Sequence, residues 1–279
     1  MGEEAFLMNR AAPAFAVFVV LSAAAHAATQ DDPLASANND FSYGLGFGTL
    51  SYSEFSPGGG RLDSESAVMP AMQLGATRQG PVFGLPSIYT SVGLTFTGGR
   101  ESYTGSNLAT GEPLRQSEGT AEIDGQIRVG RAFRPAARWQ LVPYLTYGVH
   151  SWLRGGYETY LNQYAGLGLL TQYEITPKLV GGIDAMLGHT FDPQVMTRGD
   201  SSIGTEYLGS NWTRSVGATL DYAYDRRLHF TASYRFTSFS YGMSAPKSGT
   251  YEGIYSAGWY EPSSHTHENL VILGATYSF

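Results

Sequence analysis

From residue 41 onward the chain alternates apolar and polar positions with a period of two, the repeat of a strand whose two faces meet different surroundings. The stretch Ala121-Glu122-Ile123-Asp124-Gly125-Gln126-Ile127-Arg128-Val129 shows it most clearly. One face carries Ala, Ile, Gly, Ile and Val, the other Glu, Asp, Gln and Arg. Before it come the apolar sets Phe41, Tyr43, Leu45, Phe47; Val68, Met72, Leu74, Ala76; and Ile88, Val92, Leu94, Phe96. After it come Leu141, Leu145, Tyr147, Val149; Ala165, Leu167, Leu169, Tyr173; and Ile183, Ala185, Leu187. The last three are Val216, Ala218, Leu220, Tyr222; Leu228, Phe230, Ala232, Tyr234, Phe236; and Val271, Leu273, Ala275, Tyr277, Phe279. The stretches run longer than the five or six residues usual for soluble strands. Their count is about ten, and an even number is what bacterial membrane barrels require. A single alternating strand fits a soluble sandwich, apolar face inward, as well as a barrel, apolar face to lipid.

The opposite faces are polar or small: Gln73 and Thr77; Glu122, Asp124, Gln126 and Arg128; Thr146 and His150; Asp184; Thr213, Ser215, Thr219 and Asp221; His229, Thr231, Ser233 and Arg235; and Glu268. Turned to a lumen, charges of both signs are expected to pair, because an unpaired charge in a narrow interior is costly. This predicts a polar lumen network of Glu122, Asp124, Arg128, Asp184, Asp221, Arg235 and Glu268. Small barrels are largely filled by such side chains, whereas wide aqueous pores use sixteen strands or more. No broad pore is expected.

The connections alternate in length, as periplasmic turns and extracellular loops do. The short ones are read at 79–86, 134–138, 176–178 and 225–227, the long ones at 54–65, 98–117, 192–209 and 242–265, and the connection at 154–157 is short where a long one is due. An even count puts both termini on the periplasmic side.

Composition narrows the setting. The 279 residues include 35 Gly and 19 Tyr, no Cys, and 15% charged residues, which argues against a disulfide scaffold, a disordered chain and thiol chemistry. Arg10, an apolar run to Ala25 and the sequence Ala25-His26-Ala27 form a secretory signal cleaved after Ala27; the acidic Glu3-Glu4 ahead of it points to Met8 as the start. Residues 28–40 are then a short periplasmic segment and residues 41–279 the barrel. Losing Arg10, Glu3 and Glu4 leaves a net charge of −6, which gives nucleic acid no footing. After the signal, no run reaches the roughly 18 apolar residues of a membrane-crossing helix.

The chain ends Val271-Ile272-Leu273-Gly274-Ala275-Thr276-Tyr277-Ser278-Phe279. This resembles the terminal strand of bacterial outer-membrane β-barrel proteins, and the resemblance implies that Leu273, Ala275, Tyr277 and Phe279 form the signal read by the barrel-assembly machinery. In size and strand number the chain is similar to the omptin proteases, which carry acidic pairs and an Asp-His couple at the extracellular rim. Glu122 and Asp124 form such a pair, and His265 and His267 lie at the outer end of the last strand, but the family's local motifs are not matched and no catalytic residue carries over.

His265-Thr266-His267 puts two imidazoles on one strand face, with Glu261 and Glu268 nearby, a spacing that ligates a transition metal if a third ligand converges; without one they are rim residues. A serine hydrolase needs Ser, His and an acid brought together in space, and no G-x-S-x-G elbow marks one. Gly58-Gly59-Gly60 lacks the Lys-Ser or Lys-Thr of a phosphate loop and reads as a loop tip. Tyr251, Tyr255, Trp259 and Tyr260 among glycines and serines could make a contact surface, though Trp259 and Tyr260 read better as part of an outer aromatic girdle.

The expected protein is therefore all-β: a closed, antiparallel, up-and-down transmembrane barrel of about ten strands, monomeric, with a narrow or plugged polar lumen. Its expected role is structural, narrow-channel or surface-binding, and the alternative is a barrel protease or lipid-modifying hydrolase with its site at the extracellular rim. The expected partners are outer-membrane lipid, lipopolysaccharide and the assembly machinery; no cofactor and no metal is assigned.

Overall fold

Each of the ten alternating stretches is a strand in the computed structural model, which describes residues 32–199, 201–251 and 253–279. The proposed signal, residues 1–27, lies outside the described residues. One helical turn, α1 (Pro33–Ser36), precedes β1 (Asp40–Phe55), β2 (Arg61–Val82), β3 (Leu85–Ser106), β4 (Pro113–Arg131), β5 (Phe133–Ala136), β6 (Trp139–Arg154) and β7 (Glu158–Thr176). There follow β8 (Leu179–Thr197), β9 (Thr205–Tyr207), β10 (Trp212–Ala223), β11 (Leu228–Tyr241), β12 (Lys247–Tyr251), β13 (Ile254–Trp259) and β14 (Ser263–Ser278). Ten strands close into one antiparallel barrel in the order β1-β2-β3-β4-β6-β7-β8-β10-β11-β14, with β14 pairing back onto β1 from Asp40↔Ser278 to Phe55↔Ser263. β5 pairs with β6 and β9 with β8, while β12 and β13 form a separate hairpin.

The apolar sets face outward. Phe47, Leu167 and Leu273 are 62–68% exposed, which in water would be an uncovered greasy surface and in a bilayer is a lipid-facing belt. The stretch Ala121 to Val129, at about 3.3 Å per residue and tilted by about 40°, has a height of roughly 20 Å, close to the band such barrels present. The belt stops before the strands do. Beyond Phe47 the outer positions of β1 become Thr49, Ser51 and Ser53; beyond Val68 those of β2 become Ser66 and Ser64; beyond Val271 those of β14 become His267 and His265.

The long loops expected at 54–65 and 98–117 are correspondingly short. β1 and β2 stay paired up to the turn at 56–60, where Gly59 takes a positive φ of 83°, and β3 and β4 pair as far as Ser106↔Pro113. A ladder needs backbone partners and no apolar face, so the wall rises past the membrane wherever neighbouring strands rise with it. Trp259 departs from the girdle reading: it belongs to the β12–β13 hairpin and donates from Nε1 to the Gly249 carbonyl at 3.0 Å.

Residues 32–39 fold back into the end of the barrel that carries the termini. Asp32 caps α1 by accepting from the Leu34 and Ala35 amides at 3.2 and 3.4 Å, and Pro33 supplies the φ of the first helical position. Leu34 is fully buried, and Phe279 donates its amide to the Asn39 carbonyl at 3.0 Å. Residues 32–39 of the segment read as periplasmic thus close the barrel mouth, while residues 28–31 lie outside the described residues.

Candidate functional site

The inward faces fill the lumen in layers. At the end with the termini, Asn38, Gln79, Gln140 and Gln172 share amide hydrogen bonds: Asn38 Nδ2 donates to Gln172 Oε1 at 2.7 Å and Gln140 Nε2 donates to Gln172 Oε1 at 2.9 Å. Beside them Ser36 Oγ lies 3.2 Å from His229 Nε2, and His229 Nδ1 lies 2.7 Å from Asp221 Oδ1. That order is the order of a hydrolytic triad. The amides of Ser36, Ala37, Asn38 and Asn39, however, donate to the carbonyls of Asp32, Pro33, Ala35 and Ser36 at 2.9–3.3 Å, so none of the four is free to hold an oxyanion. The arrangement acts as a latch that ties the N-terminal segment to β10 and β11.

The next layer is ionic. Arg128 Nη1 meets Asp184 Oδ2 at 3.1 Å, and the Tyr144 hydroxyl donates to both oxygens of Asp184 at 2.9–3.0 Å. Tyr144 lies across Gly168 so closely that a Cβ there would sit 2.1 Å from its ring, which is why glycine stands at that inward position.

Above this lies a cavity of about 40 Å³, with Asp124, His150, Arg235 and Glu268 in its wall. Asp124 Oδ1 is 2.8 Å from His150 Nδ1, Glu122 Oε2 accepts from Thr97 Oγ1 at 2.8 Å, and Arg235 Nη2 donates to Thr95 Oγ1 at 3.4 Å. The cavity is roofed by an aromatic layer. Tyr52, Trp152, Tyr160, Phe239 and Tyr241 pack with Leu50 and Met69, all under 8% exposed, and Trp152 stacks on Tyr160 at 5.2 Å. The ring of Phe239 lies 5.1 Å from that of His150.

Outside the membrane belt, Arg154 crowns this layer. Its guanidinium reaches Glu54 at 2.6 Å, Asp63 at 3.3 Å, Glu65 at 2.6 Å and Glu158 at 2.9 Å, and rests over the Tyr52 ring at 5.0 Å. Four carboxylates around one cation exceed what it can neutralise. Burial, with Glu54 beside it, pushes Asp63 up to about 8, and burial pushes Glu65 up to about 7 against the pull of Arg154. Burial and Glu54 likewise raise Glu261, which accepts from the Tyr160 hydroxyl.

The seven predicted lumen residues thus fall into three groups along the axis: Asp221 at the mouth, Arg128 with Asp184 above it, and Asp124, Arg235 and Glu268 in the cavity wall with Glu122 beside them. Asp124 and Asp221 take histidines as partners. Of the C-terminal residues, Leu273 is lipid-facing, Phe279 packs on Phe41 at 5.0 Å, and Tyr277 accepts from Arg227 at 3.1 Å. His265 and His267 point off the outer face, against Phe55 at 5.3 Å and Phe236 at 5.8 Å, whereas Glu268 turns inward. Glu261 and Glu268, their neighbours in sequence, lie on the other side of the wall, and among the described residues no third ligand joins the two histidines. Arg154 and the aromatic layer were missed, because Arg154 stands in the short connection at 154–157 and Tyr52, Trp152 and Tyr160 fall outside the apolar sets that marked the strands. The usable signal was parity, since Trp152 and Arg154 continue the inward series Thr146 and His150.

Neither a family pattern nor a curated protein sequence matches this chain. Solved structures do. The outer membrane protease OmpT from Escherichia coli aligns over 87% of this chain and 98% of its own, with 9% identity and a TM-score of 0.54. Neisserial surface protein A aligns over 86% and 97% with 10% identity and a TM-score of 0.37. The outer membrane protein OprG from Pseudomonas aeruginosa aligns over 86% and 96% with 11% identity and a TM-score of 0.33. With its closed, up-and-down ring of ten antiparallel strands and its outward apolar belt, this chain has the fold of the bacterial outer-membrane β-barrel proteins.

Proposed function

We propose that this chain is a non-conducting outer-membrane barrel that serves as a surface-binding protein at its outer end. The observation that carries the reading is the filled lumen: the amide layer and latch, the Arg128–Asp184 pair, the aromatic roof and the Arg154 cluster follow one another along the axis. Among the described residues these layers put side chains across the axis at successive heights, which supports a lumen closed to solutes. The even strand count puts the termini in the periplasm and the extended wall outside, with outer-membrane lipid and lipopolysaccharide against the belt and the assembly machinery reading Leu273, Ala275, Tyr277 and Phe279. The chain works as a monomer, exported by a cleaved signal. At the outer end Tyr157, Tyr207 and Tyr255 are 51–70% exposed, and rigid rings of this kind give contact area at small entropic cost.

The test is planar-bilayer conductance of the refolded protein. Traces with at most small, flickering steps are expected, and a stable open channel would overturn the reading. A protease with its site at the outer rim is less well supported. The Asp124–His150 couple beside Glu122 has the residue types for acid–base work, but it lies beneath Trp152 and Phe239, where a peptide cannot reach it.

A further inference from the structure

Glu122, His150 and Glu268 stand on β4, β6 and β14, and β6 and β14 are five strands apart in the ring of ten, so they are opposite walls. Each nevertheless offers a ligand atom within 4.8 Å of the other two. We propose that these three residues form a binding site for a divalent first-row transition metal of the Zn²⁺ type, which ties the two walls together beneath the aromatic roof.

Three features of the site point to a cation. Glu122 is only 4% exposed, and while its Oε2 is taken up by Thr97, its Oε1 is buried and unpartnered; Oε1 of Glu268 is in the same condition. Two ionised carboxylate oxygens held away from water and from donors are costly, and a cation placed between them removes that cost without their taking up protons. The imidazole is also prepared. Asp124 holds His150 Nδ1 at 2.8 Å, and in the tautomer that carries its proton on that nitrogen Nε2 is left as a ligating lone pair, the carboxylate–histidine relay found behind metal-bound histidines. Charge completes the case. Asp124 and Glu268 in the cavity wall and Glu122 beside them bring three negative charges when ionised and Arg235 one positive, so a neutral imidazole and one divalent ion bring the layer to zero. The cavity of about 40 Å³ beside His150 and Glu268 has room for a water in the remaining coordination position.

The donor set selects the ion. One nitrogen and two carboxylates with an open position suit Zn²⁺ or a neighbour in its row, whereas Ca²⁺ requires six to eight oxygens and Cu(I) soft sulfur ligands.

The test uses untagged, full-length mature protein refolded in detergent, stripped with EDTA and titrated with ZnCl₂, with bound metal counted after desalting and thermal unfolding followed in parallel. One Zn²⁺ per chain is expected, with a rise in Tm that EDTA reverses. Glu122→Gln and Glu268→Gln keep size and hydrogen-bonding capacity, and each is expected to weaken binding by roughly 100-fold while leaving the sheet signal intact. His265→Ala with His267→Ala should bind as the wild type does. No saturable uptake by the wild-type barrel overturns the proposal whatever the variants do. So does stoichiometric uptake that survives both glutamine substitutions together, or uptake lost with the two outward histidines. The outcome is independent of conductance, so this site and the closed lumen stand or fall separately.

Discussion

Replacing Arg154 by methionine removes one cation from among Glu54, Asp63, Glu65 and Glu158 while keeping most of the packing volume over Tyr52 and Trp152. At an effective dielectric constant of about 20, one unit pair at about 4 Å is worth about 4 kcal/mol, but four such contacts do not add, because the acids themselves change protonation. Depriving buried charges of their partner costs about 3–5 kcal/mol. That figure applies where the acids are ionised. Asp63 at about 8 and Glu65 at about 7 hold protons in the fold that the unfolded chain, with values of 3.8 and 4.5, has already released. Between pH 4 and 8 the folded state therefore binds more protons, and stability falls as pH rises. Without Arg154 the same acids are still harder to ionise, so the penalty grows with pH: about 3–5 kcal/mol at pH 8.5 and roughly 1–2 kcal/mol less at pH 5, where Asp63 and Glu65 keep their protons and lose mainly hydrogen bonds. The assay is urea unfolding of the refolded barrel at both pH values, followed by tryptophan fluorescence, to which Trp152 reports from 5.8 Å beneath the guanidinium. A loss equal at both pH values, or larger at pH 5, would refute the electrostatic account.

Other substitutions probe the remaining layers. Gly168→Ala forces the buried Tyr144 ring off Asp184 and is expected to cost about 1–3 kcal/mol in the same unfolding assay; an unchanged midpoint would show that the ring is not held there. Arg128→Ala or Arg235→Ala should loosen the lumen and raise bilayer conductance, and unchanged traces in both would count against the plug. His229→Ala should unlatch the N-terminal segment, so that limited proteolysis trims residues 28–39 faster than in the wild type; equal rates would remove the latch. Phe279→Ala should lower the amount of barrel assembled in cells while leaving detergent-refolded protein folded, and normal assembly would contradict the proposed terminal signal.

The alternation of Ala121 to Val129 and its nine counterparts determined by itself that each segment is a strand and which residues share a face, while the ring pairing decided that the ten close with the apolar face outward. A period of two is a local property: it follows from the geometry of a single extended backbone and survives any arrangement of neighbours. It assigns a face and says nothing of what the face meets across the lumen. His150 and Glu268 converge from opposite walls, Arg154 collects acids from β1, β2 and β7, and Ser36 reaches His229, all because ring closure and lateral register place distant residues at one height. The same cause explains why the polar stretches at 54–65 and 98–117 are wall and not loop, since a ladder is held by its partner strand and not by its own composition. Closure alone set which side chains fill the interior together, and the candidate site is made of those meetings.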